Sequence, residues 1–192
     1  MKRLKGVKKE NIWNIPNSLS IARIIIAFIV IYMIFAEVDI IPIVVLFTIG
    51  MITDFFDGQI ARNFNQKTEF GRKIDIIADR VLLIGTMIAF VVEFSIRDMI
   101  TPLKMLEIAL VMTREIFSLP FALLLILSKK EIPNVRFAGK LTTFAQGVSI
   151  PIILLGIIFN FWFSIYFAIA TSIIGLVSAI DFMKDSLRAT QK

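Results

Sequence analysis

The stretch "LFTIGMITDFFDGQIARNFNQKTEFGRKIDIIADRVLLIGTMIAFVV", residues 46–92, sets four aspartates against two strongly apolar runs. "LFTIGMIT" leads into Asp54 and Asp57, and "VLLIGTMIAFVV" follows Asp75 and Asp79. Hydrocarbon on both flanks and carboxylates between them describe two membrane helices joined on one side of a bilayer. What the carboxylates do there is the question the rest of the chain has to answer.

Composition narrows the class. Of the 192 residues, 57% are hydrophobic, against about 45–50% apolar residues in a soluble domain. The mean hydropathy is +0.84, so an integral membrane protein is expected. The chain has no cysteine, which excludes disulfides, thiolate nucleophiles and zinc–thiolate sites. It has no histidine, which removes the usual general base and soft metal ligand. Any chemistry falls to carboxylates, lysine and arginine, hydroxyls or amides.

A spanning helix needs roughly 20 mostly apolar residues. Six are expected, over about 18–36, 40–62, 73–95, 104–128, 137–158 and 161–185, with ends placed to within a few residues. Residues 141–180 carry no charge and are too many for one span, so they divide at "IFNFWF", an aromatic interfacial turn. Basic residues gather on alternate connections: Lys2 to Lys9, Arg62 to Lys73, Lys129 to Arg136 and the tail. By the positive-inside rule both termini are cytoplasmic. The fold class is therefore all-α, polytopic, in the cell membrane, as one domain over 1–192. Residues 1–14 form a basic segment lying along anionic lipid. No nucleic-acid partner is expected.

Asp54 and Asp57 are three apart and share a helix face, with Gly58, Ala61 and Arg62 continuing it. Asp75 and Asp79 are four apart, with Gly71 a turn earlier. Two neighbouring helices can thus project four carboxylates into one cytoplasm-facing cavity. Unpaired, each is expensive to desolvate, roughly 2.5–3.5 kcal/mol even on permissive scales. Arg62, Arg72 and Arg80 are available partners if the aspartates merely end two helices. Hard divalent cations suit clustered oxygens better, and two such ions side by side are a known arrangement for phosphoryl displacement. A divalent-cation transporter is the alternative class, but it favours carboxylates near the midplane on broken helices.

Written out, the stretch is Asp54-x2-Asp57-Gly58-x2-Ala61-Arg62-x8-Gly71-x3-Asp75-x3-Asp79. It resembles the full motif of the CDP-alcohol phosphatidyltransferase family. The resemblance implies transfer of a phosphatidyl group from a CDP-linked lipid, CDP-diacylglycerol or an ether analogue, to a small alcohol. It implies that Asp54, Asp57, Asp75 and Asp79 hold two Mg²⁺ or Mn²⁺ ions. It also implies that Asp79 is the base for the acceptor hydroxyl, and that Gly58, Ala61, Arg62 and Gly71 line the CDP site. A homodimer is implied too.

Three further stretches bear on the acceptor. "NIWNIPNSLSIARI" with Arg23, "TREIF" with Arg114 and "AGKLTTFAQ" with Lys140 resemble the branch of that family that uses glycerol 3-phosphate. Arg114, Lys140 and Arg23 are the candidate contacts for the acceptor's phosphate. "IDIIADR" departs from that branch's "LDPxADK", with Ile76 for the proline and Arg80 for the lysine. Branches using inositol phosphate, serine or phosphatidylglycerol are the alternatives.

Overall fold

Asn14 and Pro16 open the first helix. The Asn14 side chain accepts from the Asn17 backbone N–H at 2.9 Å, the capping geometry asparagine favours. Pro16 stands in the first turn, where its missing N–H would have had no helical partner. The computed structural model describes residues 14–63, 69–128 and 137–190. The expected interfacial segment, apart from Asn14, lies outside the described residues.

The order is α1 (Ile15–Phe35), α2 (Ile40–Asn63), α3 (Glu69–Arg80), a π-helical segment (Val81–Gly85), α4 (Thr86–Ile96), α5 (Pro102–Val111), α6 (Thr113–Leu127), α7 (Phe137–Phe159) and α8 (Ser164–Thr190). No strand occurs among the described residues. Asn17–Phe35, Phe137–Phe159 and Ser164–Leu187 are each long and apolar enough to cross a membrane. The pair α5 and α6, bent by 47°, makes a fourth when taken as one span. Ile40–Thr53 is a shorter apolar helix. Large apolar side chains face outward along these helices, among them Phe28, Tyr32, Ile116, Phe144 and Ile173. A water-soluble monomer rarely exposes so much contiguous hydrocarbon; lipid is the solvent that suits it.

Three turns share one end of the bundle. Each follows a residue in the left-handed region: Glu37 (φ 60°), Asp98 (φ 54°) and Asn160 (φ 53°). The first two close their helices in the same way, with Val38 N–H to Met33 O at 3.0 Å and Met99 N–H to Phe94 O at 2.9 Å. This is the bond pattern that satisfies the last carbonyls of a helix. Arg97 ties the first turn to the second through Glu37 at 2.7 Å. Lys104 ties the second to the third. Its Nζ donates to Glu107, to Phe161 O at 3.1 Å and to Ser164 Oγ at 2.6 Å. Lys104 and Glu107 are both buried, an ion pair in the apolar layer that stands because every donor on the ammonium is used.

Close approach sets the core. α1 packs on α2, α3, the π-helical segment and α4. A Cβ on Gly50 would lie 2.9 Å from Leu82 Cδ2, and one on Gly85 2.9 Å from Ile31 Cδ1. Both glycines let the π-helical segment sit flush between α1 and α2. A π turn inserts a residue into the helical phase. The helix that carries Asp75 and Asp79 is thereby re-aimed one turn beyond them, so that Leu82, Leu83 and Phe90 enter the core.

Candidate active site

The site is assembled where α1, α3, α6 and α7 meet. On α1, Arg23 is completely buried, and its Nη1 donates to Asp75 Oδ1 at 3.1 Å. Ser20, three residues earlier on the same face, donates from Oγ to the same oxygen at 3.3 Å. Both bonds fall on one oxygen of Asp75, so neither engages the other. Arg23, expected beside the acceptor's phosphate, thus has one arm on Asp75.

One turn along α3, Asp79 Oδ1 is buried and has no hydrogen-bond partner among the described residues. Arg114, Glu115, Arg23 and Asp75 all lie within electrostatic reach of it. Arg80 follows, with a buried Nε that likewise lacks a hydrogen-bond partner among the described residues and with Glu115, Arg114 and Asp79 in electrostatic reach. A buried polar atom without a partner is costly, and a carboxylate oxygen in that condition suits a cation. Among the described residues no group of three acidic side chains forms a metal site. Asp54, Asp57, Gly58, Ala61 and Arg62 lie on α2, but their side chains fall outside what the structure describes. Gly71 is buried in the first turn of α3.

From the far side, Arg114 and Glu115 reach in from the first turn of α6. Glu115 is buried and faces Arg114 Nη1 at 3.5 Å. Arg114 Nη1 also donates to Thr143 Oγ1 on α7 at 3.0 Å. Thr143 stands one turn after Lys140, which is exposed, so the helix surface that holds Arg114 is the one that carries Lys140. Gln146, a turn further on and fully buried, donates from Nε2 to Val111 O at 3.1 Å and to Glu115 Oε1 at 3.4 Å. α8 closes the back: a Cβ on Gly175 would lie 3.4 Å from Arg114 Cβ.

Three arginines (Arg23, Arg80, Arg114) and three carboxylates (Asp75, Asp79, Glu115) therefore share one neighbourhood, in which Arg23 and Glu115 are buried and the Asp75 side chain is 42% exposed. Glu107, on the same bent span as Arg114, pairs with Lys104 at the opposite end. Ser20 and Glu115 carry more of the site than their sequence context announced. Ser20 is signalled by its three-residue spacing from Arg23, and Glu115 by being an acid inside an apolar run.

The profile of the CDP-alcohol phosphatidyltransferase family matches residues 13–177. The chain belongs to that family. It is accordingly a transferase, and the matched region includes the aspartate stretch. Relatives agree across most of the chain. A CDP-diacylglycerol–glycerol-3-phosphate 3-phosphatidyltransferase of Rickettsia typhi is 35% identical over 145 residues, covering 74% of this chain and 77% of its own. A protein of the same name from Aquifex aeolicus is 28% identical over 167 residues, 87% of this chain and 88% of its own. A probable phosphatidylglycerophosphate synthase of Mycobacterium tuberculosis is 30% identical over 144 residues, 74% of this chain and 65% of its own. In this phosphatidyltransferase, then, Arg23, Arg80, Arg114 and Glu115 gather around Asp75 and Asp79.

Proposed function

We propose that the protein transfers the phosphatidyl group of CDP-diacylglycerol to the hydroxyl of glycerol 3-phosphate and releases CMP. The observation that carries this reading is the link from Arg114 to Thr143 at 3.0 Å. It sets a guanidinium beside the lysine-bearing face of α7, within electrostatic reach of Asp79. A phosphorylated acceptor brings about two negative charges and needs cations of its own. Arginine offers a planar fork and lysine a point charge.

The acceptor's hydroxyl oxygen attacks the phosphorus that bears the diacylglycerol. A new P–O bond forms, and the bond from that phosphorus to the CMP oxygen breaks. Asp79 takes the hydroxyl proton and CMP carries away the electron pair. Arg114 and Lys140 orient the acceptor's phosphate. Arg23 and Ser20 hold Asp75 in place from behind. Gly58, Ala61, Arg62 and Gly71 form the CDP side. Asp54, Asp57, Asp75 and Asp79 are the residues that would hold two Mg²⁺ or Mn²⁺ ions, and the partnerless oxygen of Asp79 fits that role. When bound, such ions neutralise pyrophosphate charge and acidify a nearby hydroxyl.

The setting is a cell membrane. We read six spans, with α3 to α4 and α5 to α6 each crossing once, both termini cytoplasmic and the site facing the cytoplasm. The three capped turns at one end and the basic connections at the other support this orientation. A homodimer is expected on family resemblance. The test is CMP release by the purified protein from CDP-diacylglycerol with a panel of acceptors. Glycerol 3-phosphate should saturate and free glycerol should be poor.

A further inference from the structure

The bend between α5 and α6 lies at Met112, two residues before Arg114. Helix ends leave their last carbonyls without N–H partners, and here side chains take them up. Thr113 Oγ1 donates toward Ala109 O and Leu110 O. Gln146, from α7, donates to Val111 O at 3.1 Å. The same Gln146 nitrogen reaches Glu115 Oε1 at 3.4 Å, the oxygen that faces Arg114 Nη1. One buried amide thus touches both halves of the bent span, the closing carbonyl of α5 and the carboxylate beside Arg114.

We propose that Gln146 is a positioning residue for the acceptor site, holding the bend and Glu115 so that the Arg114 fork meets the acceptor's phosphate. The inference rests on Arg114 binding that phosphate. The chemistry selects glutamine. A leucine of similar size would leave Val111 O and Glu115 Oε1 without a donor in an apolar layer. A glutamate would set a second negative charge against Glu115. With the amide present, Glu115 shares its oxygen between Gln146 and Arg114. Without it, Glu115 closes on Arg114 and competes with the phosphate for the guanidinium.

The experiment is acceptor kinetics of Gln146→Leu, alone and combined with Arg114→Ala, in the full-length protein with CDP-diacylglycerol as donor. Gln146→Leu should raise the KM for glycerol 3-phosphate about fivefold to tenfold, with kcat and donor KM close to wild type. In the Arg114→Ala background it should add nothing to acceptor KM, because a residue that acts through another is non-additive with it. Gln146→Asn, which withdraws the amide by one methylene, is read the same way if the leucine variant does not fold. An equal effect in both backgrounds, or lost thermal stability with acceptor KM unchanged, would overturn the proposal. Arg114→Ala with unaltered acceptor KM would remove the assignment of Arg114 and this inference with it. No CMP release by the wild type from any acceptor would instead overturn the reaction itself.

Discussion

Arg23, completely buried on α1, donates to Asp75 on α3 across 3.1 Å, and Ser20 approaches the same carboxylate oxygen. A carboxylate fixed on one oxygen presents the other at a defined angle. Partners that orient a metal ligand are typically worth about 10- to 100-fold in metal affinity or activity. Arg23→Leu should raise the Mg²⁺ concentration for half-maximal CMP release by about that factor. Ser20→Ala should have a smaller effect in the same direction. A metal titration of CMP release checks both; wild-type dependence in Arg23→Leu would show that Arg23 does not orient Asp75.

Asp79 presents a buried oxygen with no hydrogen-bond partner among the described residues. Excess chelator should abolish CMP release, and Mg²⁺ or Mn²⁺ should restore it. Asp54→Asn, Asp57→Asn, Asp75→Asn and Asp79→Asn should each lower turnover by about 100-fold or more, while the variants still insert and purify. Asp79→Asn should depress turnover much more than donor binding. Full activity in excess chelator contradicts the assignment of all four.

The Lys104–Glu107 pair at the opposite end gives a prediction about stability alone. Glu107→Gln leaves a buried ammonium with only neutral partners. Breaking a buried pair from one side destabilises by about 3–5 kcal/mol. Thermal unfolding in detergent should show that loss, and Lys104→Met with Glu107→Leu together should recover most of it. CMP release per folded molecule should stay near wild type, because the pair stands at the far end from the aspartates.

Gly175 backs Arg114 with little space to spare. An added Cβ would stand 3.4 Å from Arg114 Cβ and 3.5 Å from its backbone N, ordinary contact distances. Gly175→Ala should therefore be tolerated. Gly175→Leu must push α6 away and should both raise acceptor KM and cost about 1–3 kcal/mol of stability. Acceptor kinetics on the two variants, side by side, measure it.

Much of this molecule is legible in its amino-acid sequence. Apolar length marks the helices, because hydrocarbon thickness dictates it: α1, α2 and α7 begin and end within a few residues of the expected spans. The aspartates stand out in the sequence because four carboxylates flank apolar runs in a chain with neither histidine nor cysteine. The π-helical segment and the bend at Met112 are not legible. Neither has a proline or a glycine pair at its start, and each meets side chains distant in sequence, Ile31 against Gly85 in one case and Gln146 on Val111 O in the other. Partner choice among buried charges is also hidden in the sequence. Arg23 reaches an aspartate 52 positions away, and which of Glu107 and Glu115 meets Arg114 is decided by depth along one bent span.

The acceptor is where the reaction assigned here is most exposed to test. Purified protein, CDP-diacylglycerol and Mg²⁺ are mixed with glycerol 3-phosphate, glycerol, serine, inositol phosphate and phosphatidylglycerol in turn, and CMP is measured. Glycerol 3-phosphate should be the best substrate. Arg114→Ala and Lys140→Ala should each raise its KM about tenfold or more, or roughly 1.4 kcal/mol and above, with little change in donor KM. Saturable CMP release with serine or another unphosphorylated alcohol, unaffected by either substitution, would contradict it.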